Sequence, residues 1–334
     1  MTPLSSLIHR VNNFNRPLDI LCVDTHERYE TSLAKTGHNF YTLPSSVFEK
    51  AGYNVVKWKE YQTPFPKNRI RLQENIPLHM DFDLVLTQNK FGQYQVLSKI
   101  AHSYNIPLVS IEHTLPVPNW PPGSLTQFSN MRGRQNVFIC EYQLGEWEWN
   151  DNNDTAVIHH AIDSELFKPT LPTRDPIILS VVNDWINRDY ACNFQGWRRI
   201  TNGLPTRVIG NTPGLSKAAN SVEELSNAYA SSLIFLNTSV VSPIPMSLLE
   251  AMSSGCCPIS TATCMIPDII ENGKNGFISN DENELKYYLE DMLAKPESAK
   301  QIGLAARRTI KELFSEKRFI EQWNRLLYKA AECR

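Results

Sequence analysis

The chain has no apolar run approaching the ~20 residues of a membrane-spanning helix, no low-complexity tract, no internal repeat and almost no net charge. Each absence excludes something. A formal charge of −2 over 334 residues removes any global attraction to nucleic acid or an anionic membrane, so such a partner would have to be met by a local patch. The seven cysteines, at 22, 140, 192, 256, 257, 264 and 333, include neither a C-x-x-C pair nor a His-rich partner segment. No metal site and no disulfide framework are therefore expected. The opening MTPLSSLIHRVNNFNRPLDI lacks the long apolar core of a signal peptide, which leads to the expectation of a cytoplasmic protein with reduced thiols. With 42% hydrophobic and 20% charged residues the composition is that of a folded globular chain, long enough for two domains of about 150 residues each.

One basic patch stands out. VVKWKEYQTPFPKNRIRL, residues 55–72, sets Lys57, Lys59, Lys67, Arg69 and Arg71 against a single acid, Glu60, with Trp58, Tyr61 and Phe65 interleaved. It reads either as a solvated loop or as a phosphate-contacting segment.

Short apolar runs alternate with helical patterns, the signature of parallel sheets covered by helices on both faces. In the first half the strands are LDILCVD (18–24), YNVVKW (53–58), DLVLTQ (83–88), PLVSIEH (107–113) and NVFIC (136–140), with a crossover helix over 94–104 that turns Val96, Leu97, Ile100 and Ala101 to one side. The second half starts afresh with PIILSVV (176–182), PTRVIG (205–210), SLIFLN (232–237) and CPIST (257–261). Between them NDNNDTAVIHHAIDSELFKP (150–169) reads as a linker holding a short strand. The expected organisation is an N-terminal Rossmann-like domain, 1–160, a C-terminal one, 161–314, and a terminal helix, 315–334, whose apolar face of Phe319, Ile320, Trp323, Leu326 and Leu327 needs another surface. Two doubly wound domains in tandem leave a cleft between the carboxyl ends of their strands.

TSVVSPIPMSLLEAMSSGCCPIS, residues 238–260, reads as a helix start facing that cleft. Ser242 is the expected N-cap, with Pro243 and Pro245 inside the first turn, where a missing N–H costs little. The N–H groups of Ile244, Met246 and Ser247 would then face an anion, helped by the helix dipole. Glu250, one turn deeper, suits the vicinal hydroxyls of a ribose attached to that anion.

This stretch resembles the donor-binding element of nucleotide-sugar-dependent glycosyltransferases of the two-domain GT-B fold, above all family 4. The family's pattern runs P-S-x-x-E-G-F-G and then L-E-A-M-A-x-G-x-P-V. Thr238 and Ser239 stand at the P-S positions, Glu250 at the second Glu, and Ala251, Met252 and Gly255 in register. Three further segments resemble family motifs in order: LAKTGHNFYTL (33–43) its first helix and second strand, VIHHAIDSELFKP (157–169) the interdomain V-I-x-N-G-V-D signature, and IPDIIENGKNGFI (266–278) the P-E-I-I-x-D-G-x-N-G-x-L motif.

The resemblance implies a GT-B architecture, two Rossmann-like domains facing a central cleft. It also implies a nucleotide-diphosphate sugar as donor substrate, no cofactor, no required metal, and a final helix crossing back to the first domain. It assigns the ribose to Glu250 and further donor contacts to Ser239, Gly210, Ile244, Met246 and Ser247. The family's first Glu, which touches the donor sugar, is Ser242 here, and the glycines of its loop are Pro243 and Pro245. In VVNDWINRDYACNFQGWRR (181–199) the phosphate-neutralising Arg corresponds to Arg188, either in that role or as a surface charge, while the following Lys falls on Asn193 or Gln195. Arg198 and Arg199 read as helix surface. His113 corresponds to the family's V-x-x-H-D segment, as orienter, proton acceptor or ordinary strand-end histidine, and His26 and Glu27 occupy the first-loop glycine positions. His159 and His160 read as structural in the hinge.

The acceptor follows no shared pattern. A saccharide or lipid-linked saccharide is the family default. A hydroxylated DNA base is an alternative, with Lys67, Arg69, Arg71, Arg132 and Arg134 tracking phosphates. A sugar-nucleotide epimerase, or a protein that binds nucleotide sugars without turnover, is the reading from another class.

Overall fold

The computed structural model describes residues 16–53, 63–73, 80–117, 120–150 and 152–332. The strand expected over 53–58, and Lys57 and Lys59 of the basic patch, lie outside the described residues.

Two all-parallel sheets organise the chain. The first contains β1 (Asp19–Cys22), β2 (Asn39–Thr42), β3 (Arg69–Arg71), β4 (Leu84–Thr87), β5 (Leu108–Glu112), β6 (Gln135–Phe138) and β7 (Thr155–Val157), in the order β3-β2-β1-β4-β5-β6-β7. The second contains β8 (Asp175–Val181), β9 (Thr206–Ile209), β10 (Ser232–Asn237), β11 (Cys257–Ser260) and β12 (Phe277–Ile278), in the order β12-β11-β10-β8-β9. Every residue of β4, β5 and β10 is buried, which explains their near-continuous apolar sequences: a central parallel strand is covered on both faces. In each sheet the strand order reverses beside the first strand, between β1 and β4 and between β8 and β10. At such a point neighbouring loops diverge and leave a crevice at the strands' carboxyl ends.

The helices that shape the site are α1 (Glu27–Ala34), α2 (Gln95–Ser103), α3 (Asp189–Cys192), α4 (Phe194–Ile200), α5 (Val222–Ser231), α6 (Met246–Ser253), α7 (Pro296–Leu313) and α8 (Glu316–Ala331). Helix α2 is the crossover helix anticipated near 94–104, with Val96, Leu97 and Ala101 buried and Ile100 half-buried. Helix α8 lays Phe319, Trp323, Leu326, Leu327 and Ala330 against Leu18, Ile20, Tyr29 and Val109 of the first sheet's layer. Ile320 is only half-buried. Burying each of the larger side chains contributes on the order of 2 kcal/mol, enough to hold the helix on a layer far from it in sequence. The second sheet's core, including Leu248, Leu249, Met252, Ile266 and Ile310, carries α6 on its face.

Candidate functional site

A cleft of about 540 Å³ opens where the carboxyl ends of the two sheets meet. The segments after β1, β5 and β7 bring His26 with Glu27, Arg28 and Tyr29 of α1, then His113, then His160; those after β8 and β10 bring Asn183, Arg188, Ser242, Ile244 and the first residue of α6, Met246. A second cavity of about 240 Å³ adjoins it, lined by Thr63, Leu166, Phe167, Val222 and Glu250 among others. Arg28 and Met246 line both and so stand in the partition between them.

The helix start differs from the sequence expectation. Helix α6 begins at Met246 with Pro245 as its extended N-cap, not at Ser242 and Pro243. The reason is the double X-Pro: a residue preceding proline is disfavoured in the helical region, so Ser242 and Ile244 both resist helical geometry and the helix starts only after Pro245. The amides of Leu248 and Leu249 bond the Pro245 carbonyl, leaving Met246 and Ser247 as first-turn N–H groups without an acceptor inside the helix. Ile244 is a buried side chain ahead of the helix, not one of its N-terminal donors. Gly255, with φ of 80°, ends α6, and no side chain adopts that turn as cheaply.

Glu250 is 4% exposed and lines the smaller cavity. Its Oε2 accepts a hydrogen bond from Tyr229 Oη at 3.0 Å and its Oε1 one from Arg28 Nε at 3.2 Å. Desolvation raises its pKa above the ordinary carboxylate value, opposed by the Arg28 charge and the Tyr229 hydroxyl. Arg28 comes from α1, so one ion pair bridges the two sheets' layers beside the smaller cavity.

Two buried carboxylates hold the loops that form the opposite wall. Glu112 Oε1 accepts from the amides of His113 and Thr114 and from the Thr114 hydroxyl, and Oε2 from the Lys90 amide. Glu30 Oε1 accepts from the amides of Thr25 and His26 and from Gln88 Nε2. These bonds fix the loops that carry His26 and His113, and the rings of His113 and His160 pack edge-on to Tyr29. The His113 ring lies edge-on to His26 at 4.8 Å and to Tyr29 at 4.6 Å, and stacks with His160 at 6.2 Å. Burial, and then the neighbouring imidazoles, hold His113 well below the usual histidine pKa and push His160 down to about 3. Both are neutral near pH 7, and neither His113 Nε2 nor His160 Nδ1 has a hydrogen-bond partner among the described residues.

Other expected site residues lie elsewhere. The Ser239 carbonyl accepts from the hydroxyls of Thr261 and Thr263, clasping the loop after β10 to that after β11; the residue is buried and lines neither cavity. Gly210, with φ of 133°, is required by close approach, since a Cβ there would lie 1.9 Å from the Val182 carbonyl oxygen; it too lines neither cavity. Ser247 is half-buried outside both linings, leaving only its amide for the site. Asn193 caps α4 through its side chain, accepting from the Gly196 amide at 3.0 Å, and the Gln195 amide donates to Asp189, so neither position supplies a cation to the cleft. Arg199 pairs with Glu282 on the surface of α4.

The basic residues expected to track phosphates are mostly committed elsewhere. Arg69 is buried on β3 and bonds Asp24, with Glu30 at 3.8 Å; Arg71 reaches Asp24 at 3.5 Å. Arg132 stacks on Trp149 at 4.1 Å and pairs with Asp154 at 3.1 Å. Arg132 and Arg134 precede β6 and Lys67 precedes β3, at the amino ends of the strands, opposite the cleft. Among the described residues no group of three His, Cys, Asp or Glu side chains is placed to hold a metal ion.

Sequence reasoning does not reach Arg28, Tyr29 and Asn183, and reads His160 as structural first. A charged residue in the first turn of the helix after β1 was the available signal for Arg28. Nothing local marks His160 as facing a cleft.

Residues 217–309 match the family described as Glycosyl transferases group 1. The sulfoquinovosyl transferase SQD2 of Arabidopsis thaliana is 34% identical over 114 residues, which is 33% of this chain and 21% of that protein, so the match spans about a fifth of the relative. HepE of Anabaena, solved with UDP, superposes with a TM-score of 0.72 at 12% identity, covering 94% of this chain and 100% of that one. The same protein solved with UDP-glucose gives 0.69 at 13%, covering 91% and 98%. Sucrose-phosphate synthase from Thermosynechococcus elongatus gives 0.70 at 16%, covering 96% and 100%. At these identities the likeness establishes the architecture, and it is the GT-B fold anticipated from the motifs. The chain has the GT-B fold, and its residues 217–309 match the Glycosyl transferases group 1 family.

Proposed function

We propose that this protein is a glycosyltransferase that moves a sugar from a uridine diphosphate sugar to an acceptor hydroxyl, with a saccharide or lipid-linked saccharide as acceptor. The observation that carries the reading is the convergence, within one cleft of about 540 Å³, of Arg188 and the amino end of α6 with the imidazoles of the first lobe. The lobes are taken as 1–160 and 161–314, with the terminal segment 315–334, which contains α8, packing back on the first. Arg188 and the amides of Met246 and Ser247 stabilise charge growing on the departing diphosphate, the point at which fixed donors lower a barrier most. Neutral His113, a residue of the cleft wall whose Nε2 is buried with no hydrogen-bond partner among the described residues, orients the acceptor hydroxyl or takes its proton. The UDP preference rests on the HepE complexes with UDP and UDP-glucose.

A second reading has one observation in its favour. Ser242 lines the cleft and offers a single hydroxyl where the family carries a carboxylate against the donor sugar. A protein that binds the donor without transfer, or interconverts its sugar, fits that loss. The DNA-base reading is not retained as a proposal, because Arg69, Arg71 and Arg132 are held by Asp24 and Asp154.

UDP-glucose incubated with the wild-type protein, with and without oligosaccharide and lipid-linked acceptors, separates these readings. UDP release that depends on acceptor and falls at least a hundredfold in Arg188→Ala is the expected result. Sugar interconversion points to an epimerase, binding without turnover to the non-catalytic reading, and no binding of any nucleoside diphosphate refutes the proposal.

A further inference from the structure

Resting on the donor reading above, we propose that Arg28 is a donor-binding residue supplied by the first lobe, which releases Glu250 to the ribose and takes the diphosphate in exchange. Three observations carry this. First, Glu250 lines the smaller cavity and Arg188 the larger, while Arg28 lines both. A ligand with ribose on Glu250 and diphosphate near Arg188 must therefore cross the partition that Arg28 and Met246 form. Second, Glu250 is 4% exposed, with Tyr229 on one carboxylate oxygen and Arg28 on the other. Tyr229 belongs to the same lobe, so the contact that can be traded for a sugar hydroxyl is the one from Arg28.

Third, the guanidinium is underused where it stands. Nε serves Glu250, whereas Nη1 is buried with no hydrogen-bond partner among the described residues, and its closest carboxylate oxygen is Glu27 Oε1 at 3.8 Å. The Phe167 ring lies 5.6 Å from its centre. A planar cation with an idle Nη1 matches the oxygens of a diphosphate, and the ligand's charge replaces the Glu250 charge as its partner. Binding then exchanges one ion pair for another without leaving the cation buried alone, and it places a first-lobe charge on a ligand held mainly by the second lobe.

The test compares uridine with UDP by calorimetric competition on wild type, Arg28→Ala and Arg28→Lys. In Arg28→Ala uridine binds as well as or better than in wild type, since its competitor for Glu250 is gone, while UDP binds more weakly. The UDP-to-uridine affinity ratio therefore falls about tenfold, and Arg28→Lys recovers part of it. A merely structural role moves both ligands together. A ratio within twofold of wild type overturns the exchange while leaving the donor reading standing; failure of the wild type to bind UDP overturns both. Thermal unfolding of each variant without ligand checks the fold, and if Arg28→Ala does not fold the same ratio is read on Arg28→Lys against wild type, where an unchanged value also refutes the proposal.

Discussion

Replacing Glu250 by alanine tests the ribose assignment at the level of a single ligand atom. The carboxylate accepts from Tyr229 Oη at 3.0 Å and Arg28 Nε at 3.2 Å, so alanine strands two buried donors and opens a void. A loss of about 3 kcal/mol in unfolding free energy is expected, while Glu250→Gln, which keeps the volume and an acceptor, loses roughly 1 kcal/mol. For the ligand, two hydrogen bonds from ribose hydroxyls to a charged acceptor are together worth on the order of 3 kcal/mol, about a hundredfold in Kd. Stability and binding losses can be confused, so the decisive measurement is a cycle in which the second mutation is made in the ligand. Titration calorimetry with UDP and 2′-deoxy-UDP should show the deoxy ligand about tenfold weaker on wild type and within twofold of UDP on Glu250→Ala. An equal penalty for the missing hydroxyl in both proteins would show that Glu250 does not hold the ribose.

Two further outcomes follow from packing and burial. Gly303→Ala in α7 improves helix propensity by about 1 kcal/mol, yet its Cβ would lie 2.1 Å from the Gly255 carbonyl oxygen; overpacking of up to ~3 kcal/mol wins, and a lower Tm by scanning calorimetry is expected, an unchanged or raised Tm refuting the close contact. His160 binds its proton near pH 3 in the fold but near 6.5 when unfolded, so the unfolded chain carries the extra proton between those values. The contribution to stability is therefore whole above about pH 6.5 and declines as pH falls, by up to ~1.4 kcal/mol per unit. Urea unfolding at a series of pH values should give a slope between pH 4 and 6 that is shallower by about that amount in His160→Gln, and an equal slope contradicts the assignment.

Much of the architecture was legible because parallel strands covered on both faces write themselves as short apolar runs, and SLIFLN and LVLT sit where that rule places them. The cleft loop was legible as a segment but not in its geometry. Two prolines in alternate positions were read as tolerated first-turn residues, whereas their effect on Ser242 and Ile244 moves the helix start to Met246. Charge was the least legible property. Arg69 belongs to a basic run, yet its carboxylates, Asp24 and Glu30, are about forty residues earlier in the chain, and the successive pairing of β1 with β2 and of β2 with β3 brings them together. Arg28 was hidden for the same reason, since its partner Glu250 lies across the lobes.

The return of α8 gives the chain an order of assembly. The second lobe's core is complete once Phe314 is in place, but the first lobe lacks a side of its core until Phe319, Trp323 and Leu327 arrive. Tyr29, whose hydroxyl accepts from Trp323 Nε1 at 3.2 Å, waits for a partner 294 positions later. During synthesis the lobe made first is thus the lobe finished last, and its apolar layer of Leu18, Ile20 and Val109 stays open while the rest of the protein is being made. A nascent chain halted before residue 319 would therefore hold a folded second lobe beside an incomplete first one, a state that chaperones and proteases can tell from the finished molecule.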